Sequence, residues 1–229
     1  MKILVIGDIH GCYAEMTELI EKAGLTGEDK IVALGDIVDR GPDSLSVIDF
    51  FSSHPNRYCV LGNHEAKHVK IASRDTRPSP AQIITKGKIS AEKYSQIISF
   101  FSTLPAYIEL PESLLIHAYL EPGIDLENQR KHILTGTLSA DIFIKKTYPK
   151  PWYEYYNGEK PVIAGHHDYS GKGEPTVIHD KVYLIDTGCC YGRNLTGLVL
   201  PDFKLFSVKG RKNYWGLEMQ QYKQQNRAT

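Results

Sequence analysis

The sequence has no long apolar run and no excess of charge of either sign. Its 27 lysine and arginine residues balance 27 aspartate and glutamate residues, so no overall field attracts nucleic acid or an anionic membrane. No segment approaches the roughly 20 apolar residues of a membrane-spanning helix, and the first apolar run, residues 3–6, is too short for a signal peptide. These absences predict a protein with no membrane partner and no strong nucleic-acid signal.

Cysteine is scarce as well. Cys12 and Cys59 stand alone, whereas Cys189 and Cys190 are adjacent. This arrangement lacks the spacing of a zinc site, and adjacent cysteines are poorly placed for a structural disulfide. We therefore predict a cytoplasmic protein.

The first 65 residues contain a repeated pattern of strand, corner and helix. Short apolar runs at 3–6, 31–34 and 58–61 are each followed by Gly-Asp or Gly-Asn. Such runs are typical of strands buried on both faces, and the helical spacing of apolar residues between them predicts crossover helices and a largely parallel sheet.

The second half contains further strand-like runs separated mostly by short turns. These runs cover residues 114–118, 162–164, 176–178, 182–185, 197–200 and 204–208. We assign them to a second sheet, mixed or antiparallel, packed against the first. The predicted fold is therefore α/β (α+β), with two mixed β-sheets packed as a sandwich and flanked by helices.

Two irregular segments, 66–103 and 121–160, interrupt this pattern and are predicted to form the walls of a site. We expect one domain over residues 1–208 and a polar tail over residues 209–229. The seven basic residues between 66 and 93 favour either attraction of a phosphorylated substrate or a solvated face. The aromatic residues between 148 and 156 favour stacking on a nucleobase, peptide recognition or packing of the loop.

Side chains able to bind metal follow the predicted strands. They are Asp8, His10, Asp36, Asn63, His64, His117 and His166. The carboxyl ends of parallel strands meet at one edge of a sheet, so those that follow the three parallel strands should converge there. Oxygen and nitrogen donors without thiolate favour Mn²⁺, with Fe or Zn²⁺ as alternatives, and their number suits two divalent ions that share a carboxylate.

Three of these motifs resemble those of calcineurin-like metallophosphoesterases. They are Gly-Asp-Ile-His-Gly at 7–11, Gly-Asp-Ile-Val-Asp-Arg-Gly at 35–41 and Gly-Asn-His-Glu at 62–65. The later Ile-His-Ala, Gly-His and Asp-Thr-Gly follow in the family's order, so the resemblance extends to about residue 208. It is strongest to the subgroup of serine/threonine phosphoprotein phosphatases and symmetrical dinucleoside tetraphosphatases.

The resemblance implies a role for each ligand. Asp8, His10 and Asp36 would bind the first ion. The second would be bound by Asp36, Asn63, His117 and His166, with Asp36 as the bridge. A hydroxide bridging the two ions would then attack phosphorus in line with the leaving oxygen.

The resemblance also implies catalytic roles for three neighbouring side chains. Arg40 would bind the phosphate, while His64, oriented by Asp39, would protonate the leaving oxygen as general acid. Two simpler interpretations remain open. Arg40 could pair with Asp39 or Asp43, and Asp39 could serve only to begin a helix.

The chain departs from the family pattern at three positions. Leu61 replaces the arginine that usually precedes Gly-Asn-His-Glu in protein phosphatases. His167 replaces a common threonine, and Tyr119 follows His117-Ala118 where glycine is commoner. We predict that Tyr119 and His167 line the substrate site together with Arg40 and Asn63.

The sequence therefore predicts a dinuclear-metal-dependent phosphoester hydrolase of the serine/threonine protein phosphatase type. Its substrate would be a phosphorylated protein, a small phosphoester or a nucleotide. One alternative is symmetrical hydrolysis of dinucleoside tetraphosphates, which Leu61 favours. A nucleic-acid end-processing phosphatase is supported only by the basic stretch and the aromatic residues. A metal-free scaffold is disfavoured because every expected ligand is present.

Overall fold

A computed structural model describes residues 1–226, so residues 227–229 of the predicted tail lie outside the described part. The ten strands are β1 (Ile3–Ile6), β2 (Lys30–Ala33), β3 (Arg57–Cys59), β4 (Tyr107–Glu109), β5 (Leu114–Ile116), β6 (Val162–Ala164), β7 (Thr176–Ile178), β8 (Val182–Leu184), β9 (Asn194–Leu200) and β10 (Lys204–Lys209). The eight α-helices of the described residues are α1 (Tyr13–Ala23), α2 (Ser44–Ser52), α3 (Asn63–Ala72), α4 (Pro80–Gly87), α5 (Ala91–Thr103), α6 (Lys131–Leu134), α7 (Leu138–Thr147) and α8 (Tyr214–Gln225).

The first sheet has the order β10-β9-β1-β2-β3, in which β1, β2 and β3 are parallel. The predicted strands 197–200 and 204–208 belong to this sheet, so their assignment to the second sheet was wrong. β9 pairs antiparallel with β1, bringing Ile3 opposite Leu200. Apolar periodicity predicts that a strand exists but does not specify its partner, which explains the error.

The second sheet has the order β4-β5-β6-β8-β7, with a parallel centre of β5, β6 and β8 and antiparallel strands at both edges. The side chains of β1 alternate between two cores, as expected for a strand. Ile3 and Val5 join Leu115 and Ile163 in the core between the sheets. Leu4 and Ile6 pack under the helices on the outer face. The predicted sandwich of two mixed sheets is confirmed.

The two wall segments are largely helical. Segment 66–103 contains most of α3 together with α4 and α5, and segment 121–160 contains α6 and α7. In the basic part of the first segment, Lys88 pairs with Glu218 and Lys93 with Asp49. These contacts favour the solvated-face interpretation for that part of the chain.

The segment predicted as a polar tail contains α8, which the sequence analysis did not anticipate. The buried carboxylate of Glu15 on α1 accepts hydrogen bonds from the Tyr214 hydroxyl and from the backbone N–H of Arg211. The helix is therefore fixed through its first residue and the loop before it. Within residues 1–226, no helix combines the length and the apolar character needed to cross a membrane.

Candidate metal centre

The predicted ligands come together at the carboxyl ends of β1, β2, β5 and β6 and at the start of α3. Asp36 lies at the middle of the group. Its two carboxylate oxygens are each 3.6 Å from an imidazole Nε2 atom, Oδ2 from that of His10 and Oδ1 from that of His117. The backbone N–H of His166 donates to Asp8 Oδ1 at 3.0 Å, which joins the first sheet to the second. The structure thus places these side chains at a single site.

The hydrogen bonds of His10 and His117 fix which ring nitrogen carries the proton. His10 Nδ1 donates to the carbonyl of Val38 at 2.9 Å, and His117 Nδ1 donates to the carbonyl of Leu34 at 2.8 Å. A carbonyl can only accept, so the Nε2 atom of each neutral ring presents a lone pair. Burial lowers the pKa of both imidazoles, that of His117 to about 4, and both are therefore neutral near pH 7.

Asn63 lies between the imidazole rings of His117 and His166. Its side-chain carbonyl oxygen is 3.0 Å from His117 Nε2 and 3.1 Å from His166 Nδ1. His166 Nε2 is 3.1 Å from the carboxylate of Asp141, so Asn63 and Asp141 contact opposite nitrogens of this ring. With the amide in this orientation, one oxygen and two imidazole nitrogens converge at this point. A divalent cation is the partner that such an arrangement fits.

The carboxylates of the centre repel one another. Burial raises the pKa of Asp8, and the nearby Asp186 and Asp36 raise it further. Burial also raises the pKa of Asp186 to about 6. Burial opposes ionisation of Asp36 too, yet the surrounding imidazoles and Arg40 lower its pKa well below the usual value. Asp186 is the first residue of the Asp-Thr-Gly motif, but it was not predicted as a site residue.

Two of the four possible metal-binding groups in the described part of the chain share Asp36. One consists of Asp8, Asp36 and His117, and the other of His10, Asp36 and His64, with the donor atoms of each group within 4.8 Å of one another. This overlap fits the expectation that Asp36 bridges two ions, although the resemblance implies that His64 is a general acid rather than a ligand. The donor set is therefore chemically suited to two divalent metals.

The pKa of Asp186 gives a prediction for the metal-free protein. The folded state holds this proton more tightly than the unfolded chain, so the contribution of Asp186 to stability decreases as pH rises from about 4 to about 7. The asparagine does not titrate. Between about pH 4 and pH 7 we therefore expect the free energy of unfolding of the wild type to fall by about 3 kcal/mol relative to that of Asp186→Asn, since one pKa unit is about 1.4 kcal/mol. Chemical denaturation in the presence of chelator measures the difference. A difference in free energy of unfolding between the two proteins that does not change with pH would contradict a raised pKa for Asp186.

The backbone at the centre is held in unusual conformations. His10, Asp36, Asp39, Arg40 and His166 all have positive φ angles between 47° and 72°. Such angles are uncommon for non-glycine residues and persist where surrounding contacts enforce them.

One source of that enforcement is Glu65, the last residue of Gly-Asn-His-Glu, which is fully buried. Its carboxylate accepts hydrogen bonds from the backbone N–H groups of Asp36, Ile37, Val38 and Gly62. Glu65 therefore fixes the corner that carries Asp36. No role was predicted for Glu65, although a glutamate at the third position of a helix signals this type of contact.

Gly62 allows this corner to approach α3. A Cβ atom at this position would collide with the side chain and backbone N of Asp36 and with Glu65. We expect Gly62→Ala to reduce the free energy of unfolding by about 2–3 kcal/mol and to reduce phosphatase activity. Gly87→Ala in α4 is the matched control, because a Cβ there meets nothing within 4 Å. Denaturant titration should find that control neutral or up to about 1 kcal/mol more stable.

His64 and Asp39 form the pair that the sequence predicted. His64 Nδ1 is 2.7 Å from Asp39 Oδ2, and its Nε2 atom is 3.9 Å from Asp36. Asp39 is completely buried. Burial opposes its ionisation, but the hydrogen bonds from His64 and His68 outweigh this effect and keep its pKa well below the usual value.

The side chains that hold Asp39 were not predicted from the sequence. His68 Nε2 lies 2.9 Å from Asp39 Oδ1, and Gln82 donates to Asp39 Oδ2 at 2.6 Å. The Tyr94 hydroxyl is 2.9 Å from the other ring nitrogen of His68. The spacing of His64 and His68, four residues apart on α3, was a usable signal. These contacts come from the first wall segment.

Arg40 lines a cavity of about 630 Å³ together with Asp36, Asn63, His166 and His167, which we call the central cavity. Its guanidinium group is 2.8 Å from His10 Nε2. Among the described residues it forms no ion pair with Asp39 or Asp43, the simpler interpretations left open by the sequence. No basic residue of segment 66–93 lines this cavity. Arg40 is thus positioned to meet an anion beside the candidate ligands.

Tyr119 and His167 lie together at one side of the centre. The buried Tyr119 hydroxyl donates to Asp141 at 2.7 Å and lies 2.7 Å from His167 Nε2. Asp141 on α7 also contacts His166, so the second wall segment supports a predicted ligand. His167 lines the central cavity, whereas Tyr119 does not. The role of Asp141 was missed because nothing in the sequence of α7 links it to His166.

The calcineurin-like phosphoesterase family model matches residues 1–179. The chain belongs to this family. It is 31% identical to an asymmetrical bis(5′-nucleosyl)-tetraphosphatase of Halalkalibacterium halodurans, over 93% of this chain and 95% of the relative. It is 26% identical to a symmetrical bis(5′-nucleosyl)-tetraphosphatase of a Shewanella species, over 83% and 92% of the two chains. These findings confirm the predicted family and identify the protein as a metal-dependent phosphoester hydrolase.

Solved structures support the same fold. A protein provisionally called a diadenosine tetraphosphatase matches with a TM-score of 0.76 and 27% identity, covering 91% of this chain and 93% of that one. A serine/threonine phosphatase of Saccharomyces cerevisiae shares the fold with a TM-score of 0.59 and 16% identity, over 92% and 79% of the two chains.

Proposed function

We propose that this metallophosphoesterase hydrolyses bis(5′-nucleosyl) tetraphosphates at a centre of two divalent metal ions. The observation that carries the metal-dependent chemistry is the convergence of Asn63 Oδ1, His117 Nε2 and His166 Nδ1 beside the carboxylate of Asp36. The substrate class is supported by the names of relatives that align along almost the whole chain.

In this proposal the ligands divide as the resemblance implies. Asp8, His10 and Asp36 bind one ion. Asp36, Asn63, His117 and His166 bind the other. We favour Mn²⁺ because the donors are oxygen and nitrogen atoms without thiolate. When bound, the ions activate water and offset the charge on the phosphate.

The neighbouring side chains act on the substrate directly. Arg40 binds a phosphate oxygen beside the ligands, since it lines the same cavity and its planar group suits phosphate. His64 delivers a proton to the leaving oxygen, and Asp39 holds its Nδ1–H so that Nε2 faces the centre. His68 and Gln82 fix Asp39 in turn.

Leu61 supports a nucleotide over a phosphoprotein as substrate. Its side chain is buried in the core under the helices, and its backbone N–H donates to the carbonyl of Pro105. A position enclosed in this way offers no charge to clamp a phosphate, whereas protein phosphatases of the family usually have arginine here. The dinucleotide alternative thus replaces the protein-phosphatase interpretation favoured by the sequence.

A substrate panel tests the proposal. Metal-free enzyme restored with Mn²⁺ is offered diadenosine tetraphosphate, a phosphoserine peptide and a 3′-phosphorylated oligonucleotide. We expect the highest kcat/KM for the tetraphosphate. Relatives of 29–31% identity carry the asymmetrical designation, so we expect AMP and ATP rather than two ADP. A higher kcat/KM for the peptide or the oligonucleotide would overturn the assignment.

A further inference from the structure

A second cavity of about 300 Å³ opens beside the central cavity. Half of its lining residues carry aromatic rings, so we call it the aromatic cavity. Its lining includes Tyr148, Trp152, His167, Tyr169, Lys145 and Lys150. The volume lies at the lower end of the range for small-molecule sites, and it is therefore suited to one nucleoside rather than to a folded peptide.

His167 belongs to both cavities. Its ring centroid lies 4.1 Å from that of the candidate ligand His166 and 5.9 Å from that of Tyr169. A molecule in the aromatic cavity is consequently one side chain away from the metal centre. A ribose and a short phosphate chain can span such a separation.

The aromatic surface is held in place before any ligand binds. The buried Trp152 indole N–H donates to the Tyr169 hydroxyl at 3.1 Å. His167 is held by the Tyr119 hydroxyl. Tyr148, His167 and Tyr169 are partly exposed, while Lys145 and Lys150 are exposed at the edge. Accessible rings suit stacking on a flat base. Lys145 suits the attached anionic chain, whereas Lys150 pairs with Glu154 at 3.6 Å.

Another cavity, of about 500 Å³, is also lined by Trp152 but has the wrong charge for a nucleotide. Its lining includes Glu109, Glu121, Asp125 and Glu159 against Lys160. It also shares no lining residue with the central cavity. A phosphorylated ligand is therefore better accommodated by the aromatic cavity.

We propose that the aromatic cavity binds a nucleobase of the substrate, with Tyr148, His167 and Tyr169 as its stacking surface. This inference rests on the proposed function for the identity of the substrate. It adds the place where the base is recognised and the side chains that recognise it.

The test compares two inhibitors that differ only in the base, AMP and ribose 5-phosphate. Each competes with p-nitrophenyl phosphate, whose hydrolysis needs only the metal centre. We expect the inhibition constant of AMP to be about tenfold lower than that of ribose 5-phosphate, as base–aromatic stacking implies. Tyr148→Leu should reduce the difference to within about twofold, whereas Tyr148→Phe should retain it because the ring remains. Tyr58→Leu, at an exposed tyrosine on β3, is the matched control.

Equal inhibition by AMP and ribose 5-phosphate in the wild type, or an unchanged difference in Tyr148→Leu, would overturn the cavity assignment. Neither result requires dinucleotide hydrolysis to be measured. If the enzyme discriminates AMP but does not cleave diadenosine tetraphosphate, the proposed substrate fails and the base site stands. If it cleaves the tetraphosphate but Tyr148→Leu changes nothing, the base site fails alone.

Discussion

Asp36→Asn is expected to reduce kcat/KM for p-nitrophenyl phosphate at least about 10³-fold while leaving the fold intact. Asp36 is the carboxylate shared by both groups of candidate donors, so losing its charge weakens both proposed metal sites at once. The asparagine can still accept the backbone N–H of His64, which donates to Asp36 Oδ1 at 3.0 Å. The corner therefore keeps that contact, and the loss should appear in catalysis rather than in secondary structure.

The measurement combines steady-state kinetics, circular dichroism and titration with Mn²⁺. The matched control is Asp49→Asn, which removes an exposed carboxylate on α2 that pairs with Lys93. An exposed pair of this kind contributes little to stability, so the control should retain wild-type activity. If Asp36→Asn keeps more than about a tenth of wild-type activity, the bridging role of Asp36 is wrong.

The sequence was sufficient to predict that the candidate ligands lie together, because their positions follow from strand topology. Asp8, Asp36 and Asn63 each follow a short apolar run, and the parallel pairing of β1, β2 and β3 brings those ends to one edge. His117 and His166 follow β5 and β6, which are parallel as well. The local pattern and the chain order are sufficient for this part of the site.

The supporting contacts could not be predicted in the same way. Asp39 meets Gln82 across 43 positions of the chain, and Asp141 meets His166 across 25. Both contacts depend on how a helix in a wall segment packs over the sheets, and composition does not encode that orientation. For the same reason α8 was read as a tail, since its amphipathic signal is weak and only Tyr214 docks on a buried partner.

Replacement of His64 by asparagine is expected to separate substrates by their leaving groups. An alkoxide leaves only with a proton, so kcat/KM for an alkyl phosphate such as glycerol phosphate should fall about 10²–10⁴-fold. The 4-nitrophenolate ion needs little protonation, so p-nitrophenyl phosphate should lose less than about tenfold. A tetraphosphate releases a nucleotide phosphate, whose second pKa is about 6, and its loss should lie nearer the nitrophenyl case.

That ranking distinguishes proton delivery from a structural role. His64 contacts Asp39, which His68 and Gln82 also hold, so a structural effect would reduce all three activities equally. His54→Asn, at an exposed histidine before β3, controls for loss of an imidazole elsewhere and should leave the ranking unchanged. Equal losses on alkyl and aryl phosphates would contradict the general-acid assignment. A graded loss that follows the basicity of the leaving oxygen would place the transferred proton on His64 Nε2, since Nδ1 is held by Asp39.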